Sequence, residues 1–157
     1  GASFLNDVFV TADGTVYFTD SNTSKIHSLA QGKINTVVSD TILGGTNGIL
    51  VEGNIMYVAG MMSGKVFRID ISTGKIEELA AGIPNGDGVE RYGDALMVSN
   101  WAGQVYYVAP DGETTMLLDS QEAKLNAADI EVIADKNLLL VPTFFGNNVT
   151  AYQLIKN

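Results

Sequence analysis

A unit of about 40 residues runs four times through this chain. Asn6-Asp7-Val8, Asn47-Gly48-Ile49, Asp87-Gly88-Val89 and Ala128-Asp129-Ile130 stand 41, 40 and 41 residues apart. Each opens an apolar run that leads through a tight turn into a second, at residues 16–20, 55–59, 96–100 and 138–142. A fixed period in this range marks a repeat architecture. Strands are the repeating content, so the fold class it predicts is all-β, a β-propeller. Repetition also carries one position of every unit to an equivalent place in space, so a site can be read down a column.

The turns carry the chemistry this fold needs. Asp13-Gly14, Asn85-Gly86 and Asp111-Gly112 are pairs that tolerate positive φ, and the chain has 17 glycines in its 157 residues. Hydrophobic residues make up 46% and charged residues 17%, which argues for a folded chain with a sizeable core. The formal net charge of −9 and the lack of Lys/Arg clusters argue against a nucleic-acid partner. There is no cysteine, which excludes disulfides, thiolate catalysis and zinc–thiolate sites. No apolar run approaches the roughly 20 residues of a membrane span. A periplasmic or secreted setting is favoured, although no leader is visible.

The spacing predicts four strands per repeat: residues 7–12, 16–21, 25–30 and 34–39, then 48–52, 55–60, 65–71 and 75–80. The third repeat gives 88–92, 95–100, 104–109 and 114–119, and the fourth gives 129–134, 138–143 and 148–154. A short helical stretch is expected at residues 120–125, where Gln, Glu, Ala, Lys and Leu are good formers. No linker breaks the run, so residues 1–157 read as a single propeller region whose last blade lacks its outer strand. Residues 1–4 are a poor substitute, which leaves strand edges that invite association. Two readings follow, a small four-bladed ring or part of a larger propeller. The second is favoured, with missing N-terminal blades or a second copy as the expected partner.

The first column position holds Asn6, Asn47, Asp87 and Ala128. In a propeller it lies at one mouth of the central channel, where three side-chain oxygens would converge. Hard cations such as calcium take several oxygen ligands from Asn, Asp and water. Asn and Asp before Gly are also plain turn formers, and composition alone leans to that reading.

The segments Leu5-Asn6-Asp7-Val8-Phe9-Val10, Thr46-Asn47-Gly48-Ile49 and Gly86-Asp87-Gly88-Val89 resemble the SMP-30/gluconolactonase/luciferin-regenerating family. They are also similar to calcium-dependent phosphotriesterase-type propellers of six blades, particularly across residues 87–112 with Val98-Ser99-Asn100-Trp101. The resemblance covers nearly the whole chain and corresponds to the C-terminal part of a six-bladed protein. It implies Ca²⁺, or another divalent cation, held by Asn6, Asn47 and Asp87. It also implies a candidate base or nucleophile at Asp7 and a small lactone or ester substrate hydrolysed with the cation's help. The family's remaining ligand, a Glu of its first blade, has no counterpart here. Phe144-Phe145 stand where some relatives carry a polar channel residue.

Trp101, Phe144 and Phe145 are candidate substrate-channel residues, although a large ring such as Trp101 in a seam between blades more often belongs to the core. His27, the only histidine, sits on a third strand and is expected to be structural, so no triad is expected. The alternative to the hydrolase is a non-catalytic propeller similar to NHL-repeat proteins, binding a ligand or protein at its channel face.

Overall fold

The computed structural model describes residues 1–155. The predicted strands are present, ordered as four meandering antiparallel sheets. The first blade comprises β1 (Leu5–Val10), β2 (Val16–Asp20), β3 (Lys25–Ala30) and β4 (Lys33–Ser39). The second comprises β5 (Thr46–Glu52), β6 (Ile55–Gly60), β7 (Lys65–Asp70) and β8 (Ile76–Ala81). The third comprises β9 (Gly86–Tyr92), β10 (Ala95–Asn100), β11 (Gln104–Val108) and β12 (Thr114–Asp119). The fourth has three strands, β13 (Glu131–Ile133), β14 (Leu138–Pro142) and β15 (Val149–Gln153). Helix is confined, among the described residues, to four 3₁₀ turns of three residues each.

The helix expected at residues 120–125 does not form. Lys124 takes a left-handed φ of 55°, and the Ser120 hydroxyl donates to the carbonyls of Gly103 and Leu125, which closes the segment as a turn. Local hydrogen bonding by a Ser side chain outcompetes helix propensity here.

A second departure bears on the site. The inner strands of the first three blades begin earlier than the apolar pattern indicates, so Asn6, Asn47 and Asp87 lie inside them. Register is lost at the same point in each: between Leu5 and Val8 on β1, between Thr46 and Ile49 on β5, and opposite Val98 to Asn100 on β9. The Asn-Asp, Asn-Gly and Asp-Gly pairs are therefore β-bulges rather than turns. Bulges leave an extra residue unpaired and re-aim side chains, and they gather near functional sites. Hydroxyls on the neighbouring strand satisfy the displaced amides. Asp7 N–H donates to Thr19 Oγ1 at 3.0 Å and Gly88 N–H to Ser99 Oγ at 2.8 Å.

The core is divided among the seams between blades. One cluster joins Ile26 and Val38 of the first blade to Ile49, Met56 and Phe67 of the second. Another joins Val66 and Ala80 to Val89, Leu96 and Val98, and a third joins Met97 and Val105 to Ile130, Val132 and Leu139. At about 1.5–3 kcal/mol per buried aliphatic side chain, these seams are the main source of stability. The seam between the fourth and first blades is different. Val8 is 58% exposed where its repeat equivalents Ile49, Val89 and Ile130 are at most 6%. Val149 is 61% exposed where Ile26, Val66 and Val105 are at 0%. The ring is open on that side.

Candidate functional site

Three of the bulges bring the inner strands together around the axis. Gly48 lies against the second-blade/third-blade contact so closely that a Cβ there would fall 1.9 Å from the Asp87 carbonyl oxygen. A Cβ at Gly88 would fall 2.6 Å from the Ile130 nitrogen and 2.7 Å from Asp129 Oδ1. The second column position is thus Asp7, Gly48, Gly88 and Asp129: two glycines where backbones touch, and two carboxylates at either side of the open seam.

Asp7 is anchored by the backbone. Its Oδ2 accepts from the Ile49 N–H at 2.8 Å and its Oδ1 from the Val8 N–H at 2.6 Å. Asp129 lies within hydrogen-bonding reach of it, and the two titrate as a pair. Loss of hydration raises the Asp7 pKa against the lowering effect of those amides. Asp129 is pushed up to about 7, by loss of hydration and by the charges of Asp7 and Asp87. Because Asp129 is exposed as a residue, the like charges are the more telling cause. Asp87 is raised to about 6 by burial and by Asp7, with the Asn47 amide opposing. Glu90 is raised to about 7 by burial and by Glu131. A cavity of about 330 Å³ at the open seam is lined by Asp7, Glu90, Asp129 and Glu131 on its acidic side, and by Phe9, Leu140 and Val149 on its apolar side.

The three expected metal ligands fall into two groups. Asn47 and Asp87 stand side by side, with the Asn47 amide interacting with the Asp87 carboxylate. Asn47 is 5% exposed, and its Nδ2 donates to the Gly86 carbonyl at 3.1 Å. Its Oδ1 is buried with no hydrogen-bond partner. Such an orphaned acceptor costs about 1–3 kcal/mol, which a ligand in contact with it would recover. Asn6 is exposed, and its Nδ2 donates to Ser21 Oγ at 3.0 Å. That hydroxyl in turn donates to the Thr46 carbonyl at 2.6 Å, beside Asn47. Among the described residues no three His, Cys, Asp or Glu side chains form a group that could hold a metal. Any cation here must draw on the amide oxygens, and the orphaned Oδ1 of Asn47 beside Asp87 fits one.

The aromatic candidates form a cluster. Trp101 packs edge-on against Phe144 at 4.7 Å between centroids and against Phe145 at 6.2 Å, and the two phenylalanines are 4.9 Å apart. Trp101 N–H donates to the Asn85 carbonyl at 2.9 Å, which sets the cluster on the same end of the blades as Asp87. Phe144 and Phe145 are 55% and 72% exposed, and Phe144 holds a left-handed φ of 46°. A bulky residue rarely takes that conformation without a reason. His27 accords with its structural reading, its Nδ1 3.1 Å from Thr36 Oγ1 and its ring against Phe18.

Asp129, Glu90 and Glu131 were not singled out from sequence. Asp129 was visible as the fourth member of the repeat signature, but only the bulges reveal that position two faces the axis.

No family model and no curated protein matches this chain. Solved structures do resemble it. Virginiamycin B lyase from Staphylococcus aureus superposes with a TM-score of 0.70 at 18% identity, over 97% of this chain and 56% of that one. A candidate gluconolactonase gives 0.71 at 16% identity, over 94% and 57%. A chain of a nidogen/laminin complex gives 0.81 at 15% identity, over 95% and 60%. At these identities the likeness concerns the fold, an all-β propeller architecture, and the chain spans little more than half the length of these three structures. No helix among the described residues is long and apolar enough to cross a membrane.

Proposed function

We propose that the chain forms the cation-binding part of a β-propeller hydrolase acting on lactone or ester substrates, with calcium or a similar divalent ion held at Asn47 and Asp87. The observation that carries this reading is the buried, unpartnered Oδ1 of Asn47, on an amide whose nitrogen side meets the Asp87 carboxylate. Asn6 would add its amide oxygen, its nitrogen being committed to Ser21. When bound, the cation supplies a Lewis acid for a substrate carbonyl.

The remaining chemistry belongs to the chain's own groups. Asp7, fixed by two backbone N–H donors, keeps lone pairs free to accept a proton from an attacking water. Asp129, which keeps its proton to about neutral pH, is suited to return one to the departing alkoxide. Trp101, Phe144 and Phe145 offer the apolar part of a substrate a wall to pack on.

The test is turnover of a panel of lactones and carboxylic esters, with calcium and then with a chelator. Calcium-dependent hydrolysis that falls at least about a hundredfold in Asp7→Asn supports the reading. Turnover indifferent to both treatments overturns it. A second reading, a non-catalytic NHL-like binder at the channel face, draws on the exposed phenylalanines. It predicts ligand binding that Phe145→Ala weakens, with no turnover at all.

A further inference from the structure

The turns that follow the second strand of each blade are repeat equivalents. β2 pairs Thr19 with Ile26, β6 pairs Ala59 with Val66, β10 pairs Ser99 with Val105 and β14 pairs Pro142 with Val149, so the turns begin at Ser21, Met61, Trp101 and Phe144. Hydrogen bonds tie three of them to the lead into an inner strand. Ser21 N–H donates to the Phe4 carbonyl at 2.9 Å, Met61 N–H to the Gly45 carbonyl at 2.8 Å and Trp101 N–H to the Asn85 carbonyl at 2.9 Å. Each acceptor stands two residues before a column position: Phe4 before Asn6, Gly45 before Asn47 and Asn85 before Asp87. In the fourth blade the Ala128 N–H itself donates to the Pro142 carbonyl at 3.1 Å, two residues before Phe144. Turns and column therefore share one mouth of the channel.

That mouth has two sides. On the first three blades the column offers side-chain oxygens, from Asn6, Asn47 and Asp87, whereas on the fourth it holds Ala128, which offers none. The turns change in the same direction, from Ser21-Asn22 on the first blade to Met61-Met62, Trp101-Ala102 and Phe144-Phe145 on the next three. Met62 and Phe145 occupy equivalent places and are equally exposed, at 72%. The second blade has packed seams on both its faces, so exposure at this place belongs to the turn itself. The left-handed φ of Phe144 is shared by none of Ser21, Met61 and Trp101, and its ring meets both Trp101 and Phe145. Charge narrows the ligand further. The four ion pairs among the described residues join Lys65, Arg68, Lys75 and Arg91 to Glu52, Glu77 and Glu78. Asp7, Asp87 and Asp129 take part in none of them and would repel an anion.

We propose that this mouth selects an uncharged ester or lactone bearing an aromatic group, with its carbonyl toward Asn47 and Asp87 and its ring on Trp101, Phe144 and Phe145. What happens at the carbonyl rests on the hydrolase reading above; the selectivity rests on the two sides of the mouth. A ring on this cluster gains edge and face contacts with side chains that water now covers. A polyhydroxylated lactone would press hydroxyls against the same rings, where nothing replaces the water they lose. A carboxylate-bearing one would meet the axial carboxylates. Phe145 is then the specificity-determining residue, because it is the most exposed ring of the three and its loss leaves the blade core untouched.

Three lactams serve as probes, since an amide resists hydrolysis where the lactone does not: one phenyl-substituted, one polyhydroxylated and one bearing a carboxylate. Trp101 is the only tryptophan of the chain, so its fluorescence reports from the cluster. The phenyl lactam should shift Trp101 emission to the blue and saturate, with calcium and with a chelator alike. The other two should bind at least about tenfold more weakly. Phe145→Ala should weaken the phenyl lactam by about tenfold while the melting midpoint stays within about two degrees, as for a surface substitution. Equal binding of the three lactams, no binding of the phenyl lactam, or binding that Phe145→Ala leaves unchanged overturns the proposal. Turnover of the matching lactones separates it from the hydrolase reading. Selective binding with no calcium-dependent turnover sinks that reading and leaves the selectivity standing. Calcium-dependent turnover with equal kcat/KM for the phenyl-bearing and polyhydroxylated lactones does the reverse.

Discussion

Gly48→Ala tests how the inner strands meet at the axis. The added Cβ would lie 1.9 Å from the Asp87 carbonyl oxygen, 2.9 Å from its carbonyl carbon and 3.0 Å from the Gly88 carbonyl carbon. All three are backbone atoms, so no rotamer change relieves the clash, and β9 must retreat by more than 1 Å. Overpacking typically costs about 1–3 kcal/mol, and a backbone clash belongs at the upper end. At about 2–4 °C per kcal/mol for a chain of this size, the midpoint should drop by about 6–12 °C. Gly53→Ala is the control. Gly53 has a φ of 59° and nothing within 4 Å of its Cβ position, so only left-handed strain of about 1 kcal/mol is added. Thermal unfolding followed by circular dichroism, with cation affinity measured on both variants, gives the comparison. Gly48→Ala should lose affinity because β9 carries Asp87, and Gly53→Ala should not. Midpoints within a degree or two of one another would refute the close-packed axis.

Three further outcomes follow from the same geometry. Asp87, Glu90 and Asp129 all titrate above the ordinary carboxylate range, at about 6, 7 and 7, so the folded chain holds their protons more tightly than the unfolded one. Their contribution is complete below the unfolded values near 4 and is lost as pH rises through 6–7. Urea unfolding without calcium should therefore show lower stability at pH 8 than at pH 5, with Asp129→Asn flattening the trend; stability that rises over this window contradicts it. Val66→Lys, at a fully buried seam position, should cost more than about 4 kcal/mol, while Val149→Lys at its exposed equivalent should change stability by no more than about 0.5 kcal/mol. Equal losses in denaturant titrations would mean the fourth seam is closed. Asn47→Asp keeps the orphaned oxygen but loses the donor to Gly86 and adds a charge beside Asp87. It should lower the melting point without calcium and give a larger calcium-induced rise than the parent chain.

The period of the repeat made the blades legible because each strand alternates or runs apolar against a seam, and the turn residues between them have few other conformations. β3 and β6 begin and end where the pattern places them. The inner strands were less legible. A bulge leaves no periodic trace, so Asn-Gly and Asp-Gly read as turns until pairing with the second strand exposes the extra residue. The segment at 120–125 failed for a related reason: one Ser side chain, bonded to carbonyls at 103 and 125, outweighs a run of good helix formers. At the site, Asn47 and Asp87 were legible as a column. Asp129 and Glu90 were not, because their role depends on which faces of the inner strands turn to the axis.

Calcium binding to the parent chain, Asn47→Ala and Asp87→Asn, measured by titration calorimetry at one pH and ionic strength, bears most directly on the site. The account predicts a single weak site in the parent chain. It predicts a loss of affinity in both variants, larger in Asp87→Asn, where the charge beside the orphaned amide oxygen is removed. No calcium uptake by the parent chain, or uptake that neither substitution alters, would contradict it.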